Sequence, residues 1–149
     1  MIMNKETTAT FIGHSNCIGI DKEQLEKEIH ALIQNGVTVF ISGGMGSFDL
    51  MCARMVMEMK KEFPHIGNFL VIPYLNFKIA RPEYYDKSIF PEELDPAPYR
   101  VAIPRRNKYL VDNSAYAICF VHRISGGSYK TFEYAKTRDI SIINIRQKK

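Results

Sequence analysis

The sequence predicts an α/β domain whose doubly wound, mainly parallel sheet has about five or more strands, with helices on both faces. Two patterns carry that expectation. Short runs of β-branched and aromatic residues, apolar almost throughout, alternate with stretches whose apolar residues recur at helical spacing. Several of the apolar runs also end in Gly- and Ser-rich junctions. Strands alternating with helices read as βαβ units, and these build a parallel sheet covered on both faces. The 149 residues fit one domain, taken as residues 1–149. A chain of this length buries roughly 68–70% of the surface it exposes when unfolded, enough for a real core.

The elements follow in order. Residues 8–12 form a first strand that enters a loop at Gly13-His14-Ser15. Asp21 caps a helix with Leu25, Ile29, Leu32 and Ile33 on one face, and Asn35-Gly36 stops it. Residues 37–41 read as a second strand, buried on both faces and ending at Ser42-Gly43-Gly44-Met45-Gly46. A helix with Leu50, Ala53, Met57 and Lys61 along one face runs on to Pro64. Residues 69–73 are a third strand. Residues 74–102 are an excursion rich in proline, with one short helix near 83–88; loops this long are often functional. Pro104 or Arg105 opens a helix that runs to Asn113. Residues 115–121 are a fourth strand, followed by Ser125-Gly126-Gly127-Ser128, a helix over 129–137 and a last strand over 141–145. The result is a Rossmann-like arrangement. Its ligands belong outside the carboxyl ends of the strands, where the strand order switches.

Composition narrows the function. A hydrophobic fraction of 46% and a charged fraction of 24% are ordinary globular values and exclude disorder and fibrous architectures. The net charge of +4 suits an anionic small molecule and falls short of the concentrated basic face of a dedicated nucleic-acid binder. Part of it lies in Arg146-Gln147-Lys148-Lys149, expected as a solvated tail. Cys17, Cys52 and Cys119 form no CxxC pair or zinc spacing, so neither a metal site nor a disulfide framework is expected. The N-terminus has no apolar signal core, and no apolar run approaches the roughly 20 residues that cross a bilayer. The expected location is the cytoplasm, with no membrane partner.

The chemistry sits at three strand-to-helix junctions: Gly13-His14-Ser15-Asn16, Ser42 to Ser47, and Ser125 to Thr131. Glycine allows positive φ and close backbone approach, and the N–H groups at a helix start favour an anion. The two Gly-rich turns therefore read as a phosphate cradle or, more plainly, as tight turns. The ligand-binding candidates are Gly13, His14, Ser42, Gly43, Gly44, Met45, Gly46, Arg106, Asn107, Gly126, Gly127, Ser128 and Thr131. No Walker A or GxGxxG pattern occurs. His14 is either a ligand contact or a structural residue, and Asp49 either a first-turn residue or a polar contact near the cradle. Cys17 and Cys119 lack a recognisable His partner. The methionines around residues 45–59 read as packing.

Four motifs in order carry a resemblance to a known group. They are Phe11-Ile12-Gly13-His14, residues 41–49 with their Ser42-Gly43-Gly44, Ile103-Pro104-Arg105-Arg106-Asn107, and residues 126–135 with Gly126-Gly127 and Glu133. From residue 8 to residue 145 the chain resembles the SLOG superfamily, most closely its DUF1273 or YpsA-like branch. That superfamily also holds the Lonely Guy phosphoribohydrolases and the DNA-processing protein DprA. The Lonely Guy motif is PGGxGTxxE with an upstream Arg. The resemblance implies Gly126 and Gly127 as its glycines, and Glu133 and Arg106 as catalytic candidates. Ser125 replaces the Pro, Tyr129 stands at the third Gly, and Thr131 is displaced by one position. A glycosidic cleavage builds positive charge on the ribose, which a carboxylate stabilises, and Arg106 can hold a phosphate. The alternatives are a first-turn Glu133 favouring the helix dipole and a solvated Arg106 at a helix start.

Three functions follow as expectations: a nucleotide-binding sensor or regulatory module; an N-glycosidase acting on a nucleoside monophosphate or ADP-ribose-type ligand; and, less favoured, DNA binding. No cofactor beyond a bound nucleotide is expected. A homodimer or larger assembly is expected through Met51, Met55 and Met59, since symmetric pairs are the commonest oligomers.

Overall fold

The computed structural model describes residues 3–95 and 97–148. Its main elements are β1 (Thr8–Gly13), α1 (Lys22–Gln34), β2 (Val39–Ser42), α2 (Gly46–Met59), β3 (Gly67–Val71), β4 (Lys87–Ile89), α3 (Tyr99–Asp112), β5 (Tyr116–Phe120), α4 (Gly127–Lys136) and β6 (Ser141–Asn144). The strands form a single sheet in the order β4-β3-β2-β1-β5-β6, and every neighbouring pair is parallel. The order reverses at β1, which lies between β2 and β5. Rossmann-like winding is therefore the fold.

Alternation along the strands explains the two layers of helix. Ala9, Phe11, Phe40, Ile118 and Phe120 point to one face and bury Leu25 and Ile29 of α1 and Phe48, Cys52 and Val56 of α2. Ile12, Ala117 and Cys119 point to the other face and meet Val111 of α3 and Ala135 of α4. Ile41 and Val71 meet Leu110 of α3 on that same side. Asp21 caps α1 by accepting from the Gln24 N–H at 3.1 Å, and Gly36 follows the helix at φ +106°.

Several local expectations need correction. The buried face of α2 is Phe48, Cys52, Ala53 and Val56, a stripe displaced from the Leu50–Met57 one. Phe48 fills the space beside Gly13 and Phe120 and so sets the rotation of the helix. The helix expected near 83–88 is a 3-10 turn, Pro82–Tyr84, followed by β4. β4 is a three-residue edge strand with one partly buried side chain, so it carries no apolar run to read. α3 begins at Tyr99, five residues before Pro104, which lies inside it. The lost hydrogen bond of Pro104 is tolerated because Ala102, Arg106, Leu110 and Val111 bury the helix along its length. Residues 146–148 are exposed, as a solvated tail would be, but are tethered to the fold. Gln147 bridges Ile20, the Asp21 N–H donates to the Arg146 carbonyl at 2.9 Å, and the Arg146 guanidinium reaches Asp21 at 3.2 Å. Lys149 lies outside the described residues.

Gly13 is where the strand and α2 pack closest. A Cβ there runs into the Phe48 ring, which is fully buried. Gly13→Ala is expected to cost about 1–3 kcal/mol, the usual range for overpacking, as a lower urea midpoint at constant m-value.

Candidate functional site

A cavity of about 380 Å³ opens at the carboxyl ends of β1 and β5. This is the strand-order switch, where an open α/β sheet leaves a crevice. One wall is the end of β1 and its loop, Phe11 to Ser15; a second is the start of α2, with Met45, Gly46 and Asp49. The α3 stripe Ile103, Arg106, Asn107 and Leu110 forms a third. The loop after β5, with Arg123 and Ser125, and the start of α4, with Gly126, Gly127, Ser128 and Thr131, close it.

The two Gly-rich turns do different jobs. α4 starts from Gly126 at φ +92° with no side-chain cap, and a Cβ added at Gly126 or Gly127 would meet nothing within 4 Å. The α4 start is thus uncapped by any side chain and bordered by open space, the kind of helix start that favours an anion. Ser128 donates its hydroxyl to the Gly13 carbonyl, tying α4 to β1. The turn at Ser42–Gly46 faces inward instead. Its Gly43 and Met45 N–H groups donate to Asp49 Oδ2 at 3.2 and 3.5 Å. Ser42, Gly43 and Gly44 do not line the cavity; only Met45 and Gly46 of that turn do. Of the two Gly-rich turns, the one at α4 opens onto the cavity, while at the start of α2 the Asp49 carboxylate takes the backbone N–H groups.

Burial pushes the Asp49 carboxyl up to about 6, against the pull of Arg106 and the backbone N–H groups. Its Oδ1 is buried without a hydrogen-bond partner.

Arg106 is 2% exposed, not a solvated helix-start residue. One terminal nitrogen donates to the carbonyls of Gly43 at 3.0 Å and Val71 at 2.8 Å, and Nε donates to Asn107 Oδ1 at 3.0 Å. The other terminal nitrogen lies 3.3 Å from Met45 Sδ, a weak acceptor. Burial lowers its pKa to about 10, so it stays charged at neutral pH.

His14 lines the cavity and is structural as well. Its Nε2 accepts the N–H groups of His122 at 2.8 Å and Arg123 at 3.2 Å, which requires a neutral ring with its proton on Nδ1. Burial, then Arg123 and His122, lowers its pKa. Asn144 holds the preceding residue by a pair of bonds to the Val121 backbone. The loop carrying Arg123 is thus set by β1 and β6 together.

Glu133 is not brought to the site. It pairs with Lys136 at 2.6 Å and is absent from the cavity wall. Thr131 lines the wall, and two residues further along a helix is a turn of about 200°. Glu133 therefore stands on a different face of α4 from Thr131, although its spacing from Gly126 and Gly127 matches the motif. The sequence reading missed Arg123, Ile103 and Leu110. Arg123 had a signal, since it stands between a strand end and a Gly-rich turn as His14 does after β1. Ile103 and Leu110 become visible only once α3 is known to begin at Tyr99.

Among the described residues, no group of three His, Cys, Asp or Glu side chains is placed to hold a metal, and no helix is long and apolar enough to cross a membrane. Cys17, Cys52 and Cys119 are buried. The cavity therefore presents two guanidinium groups and a helix start against one occupied carboxylate.

With this geometry in view, comparison with known proteins is direct. The YpsA family model, described as the YspA SLOG family, matches residues 8–145. The chain belongs to the YpsA SLOG family. Relatives of this YpsA-family chain include a UPF0398 protein of Lysinibacillus sphaericus, 24% identical over 143 residues, spanning 86% of this chain and 80% of the relative. Another, from Halalkalibacterium halodurans, is 28% identical over 128 residues, spanning 78% and 68%. A similar solved structure is that of DNA processing protein A from Helicobacter pylori, a protein with a single-stranded DNA binding mode; the TM-score is 0.63 and the identity 16%. The match covers 91% of the YpsA-family chain and 63% of that one, and speaks for the fold.

Arg106→Met should destabilise this YpsA-family protein by about 3 kcal/mol at neutral pH, since two buried carbonyls lose their donor and Asp49 loses its cation. Part of the loss should vanish on acidification. The folded Asp49 pKa lies above its unfolded value, so between about pH 6 and pH 4 the folded state takes up a proton that the unfolded chain does not. Urea denaturation of both proteins across that range checks this; a constant difference would contradict the coupling.

Proposed function

We propose that this protein binds a nucleotide or nucleotide-derived anion in the cavity and acts as a sensor or regulatory module without turning the ligand over. The start of α4 supports the reading most. It offers uncapped N–H groups and open space at Gly126 and Gly127, with Arg123 beside it and Arg106 on the α3 wall of the same cavity. The phosphate belongs against Gly126, Gly127 and Thr131. The remaining volume suits a small organic ligand.

The absence of turnover rests on the carboxylates. Glycosidic cleavage needs one beside the ribose. Glu133 does not line the cavity and pairs with Lys136. The Asp49 carboxylate is committed to the Gly43–Met45 turn through Oδ2, and its Oδ1 is enclosed.

A second reading, single-stranded DNA binding of the kind ascribed to the Helicobacter pylori protein, is favoured by one observation. The exposed large apolar side chains Ile18, Met45, Leu75, Tyr99 and Ile124 all follow strand ends or open α3. They therefore surround the carboxyl edge, where Arg100, Arg123 and Lys130 are also exposed. Binding of this kind weakens steeply with salt; anisotropy of a labelled thymidylate strand that stays flat at low salt removes it.

The reading includes self-association. Met51, Met55 and Met59 pack only partly on the core and line a groove of about 800 Å³ with Leu50, Arg54 and Tyr84. A second copy laid across α2 would cover them. Sedimentation showing monomer alone, unchanged by Met55→Glu, overturns this part.

Gly127→Asp puts a negative side chain where the phosphate belongs, in space that is open. Calorimetry with AMP and ADP-ribose should show binding by the wild type and none by the variant, with unchanged thermal unfolding. Chromatography should find no free base released from nucleoside monophosphates. Base release that Glu133→Gln abolishes would overturn the sensor reading, and equal affinity of the two proteins would overturn the placement.

A further inference from the structure

We propose that Tyr99, backed by Tyr74, is a stacking platform for a nucleobase of an extended nucleotide anchored in the cavity. The proposal deepens the cavity reading and rests on it. Tyr99 is 69% exposed. Its ring lies 4.6 Å from that of Tyr74 at an interplanar angle of 31°, and its hydroxyl donates to the Tyr74 hydroxyl at 2.8 Å. Phe77 meets the Tyr74 ring edge-on at 5.8 Å. The outer ring is thus held in place while remaining exposed, which suits a flat aromatic group at low ordering cost.

The platform belongs to the cavity by helical phase. Tyr99, Ile103, Arg106 and Leu110 follow one another at spacings of four, three and four along α3, so they share one stripe. The last three line the cavity, and Tyr99 continues the stripe beyond its mouth.

Distance sets the ligand class. Tyr99 stands seven residues before Arg106, about 10 Å along the helix axis. Tyr99 lies outside the residues that line the cavity, so it is assigned to a part of the ligand beyond the unit held there. A base carried past a second sugar-phosphate unit reaches it, whether from a free dinucleotide or the next position of a strand.

A purely structural role is the natural rival. The pair joins residues 25 positions apart and closes the excursion between β3 and α3. The test separates the two. The chain has no tryptophan, so Tyr99→Trp keeps a ring and adds a single reporter. Its emission should be quenched by NAD or a short thymidylate strand and left unchanged by AMP. Tyr99→Phe removes the hydroxyl bond but keeps the platform, and should bind NAD or the strand as the wild type does. Tyr99→Ala should weaken whichever long ligand binds by about ten- to hundred-fold, the range for loss of one base–aromatic stack, with AMP affinity unchanged. The ligand that responds identifies the source of the base. If a long ligand binds the wild type and Tyr99→Ala equally, or leaves the Tyr99→Trp emission unaltered, the platform is wrong while the cavity reading stands. If neither AMP nor a long ligand binds the wild type, both fall.

Discussion

A buried guanidinium ties the candidate site to the sheet. Arg106 reaches from α3 to the carbonyls of Gly43 and Val71, where β2 and β3 end. Both carbonyls lie beyond the ladder bonds and need a donor that water cannot supply there. The approach is so close that a Cβ on Gly43 would stand 2.7 Å from the guanidinium carbon. The glycine thus makes room for the arginine, and the arginine places α3 against the sheet edge. The helix that carries one cavity wall is located by a polar contact at the site itself.

The same charge shapes the neighbouring loop. Asp49 sits in the first turn of α2 and draws the Gly43 and Met45 N–H groups onto its own carboxylate. A fixed internal anion sits at one helix start, while the other, at α4, has no side-chain cap. Of two loops with similar composition, one is closed on an internal carboxylate and one opens onto the cavity. The difference comes from a side chain six residues beyond Gly43. His14 plays a comparable part at the adjoining strand: its neutral ring gathers the two amides after β5 and aims the loop of Arg123.

Much of the fold was legible in the sequence because burial on both faces of a parallel sheet leaves a dense apolar signal. The runs around Phe40, Phe69 and Ile118 are of this kind. β4 escaped because an edge strand of Lys87, Ser88 and Ile89 is half in solvent and needs no such run. The start of α3 escaped because Pro104 reads as an opening residue, and only packing along the whole helix shows that it lies inside. The docking of residues 146–148 against Asp21 escaped because four polar residues at a chain end look the same whether solvated or paired.

The sequence by itself determined the alternation of strands and helices, the positions of the glycine turns and the membership of the SLOG group. These depend on local propensity and on patterns that repeat along the chain. The tertiary structure alone decided which turn opens onto the cavity, that Arg106 is buried, that Glu133 stays off the cavity wall, and that Tyr99 stacks on Tyr74. Each of these depends on the rotation of a helix about its axis or on a partner many residues distant. A single residue of phase moves a side chain by about 100°, and composition carries no record of that angle.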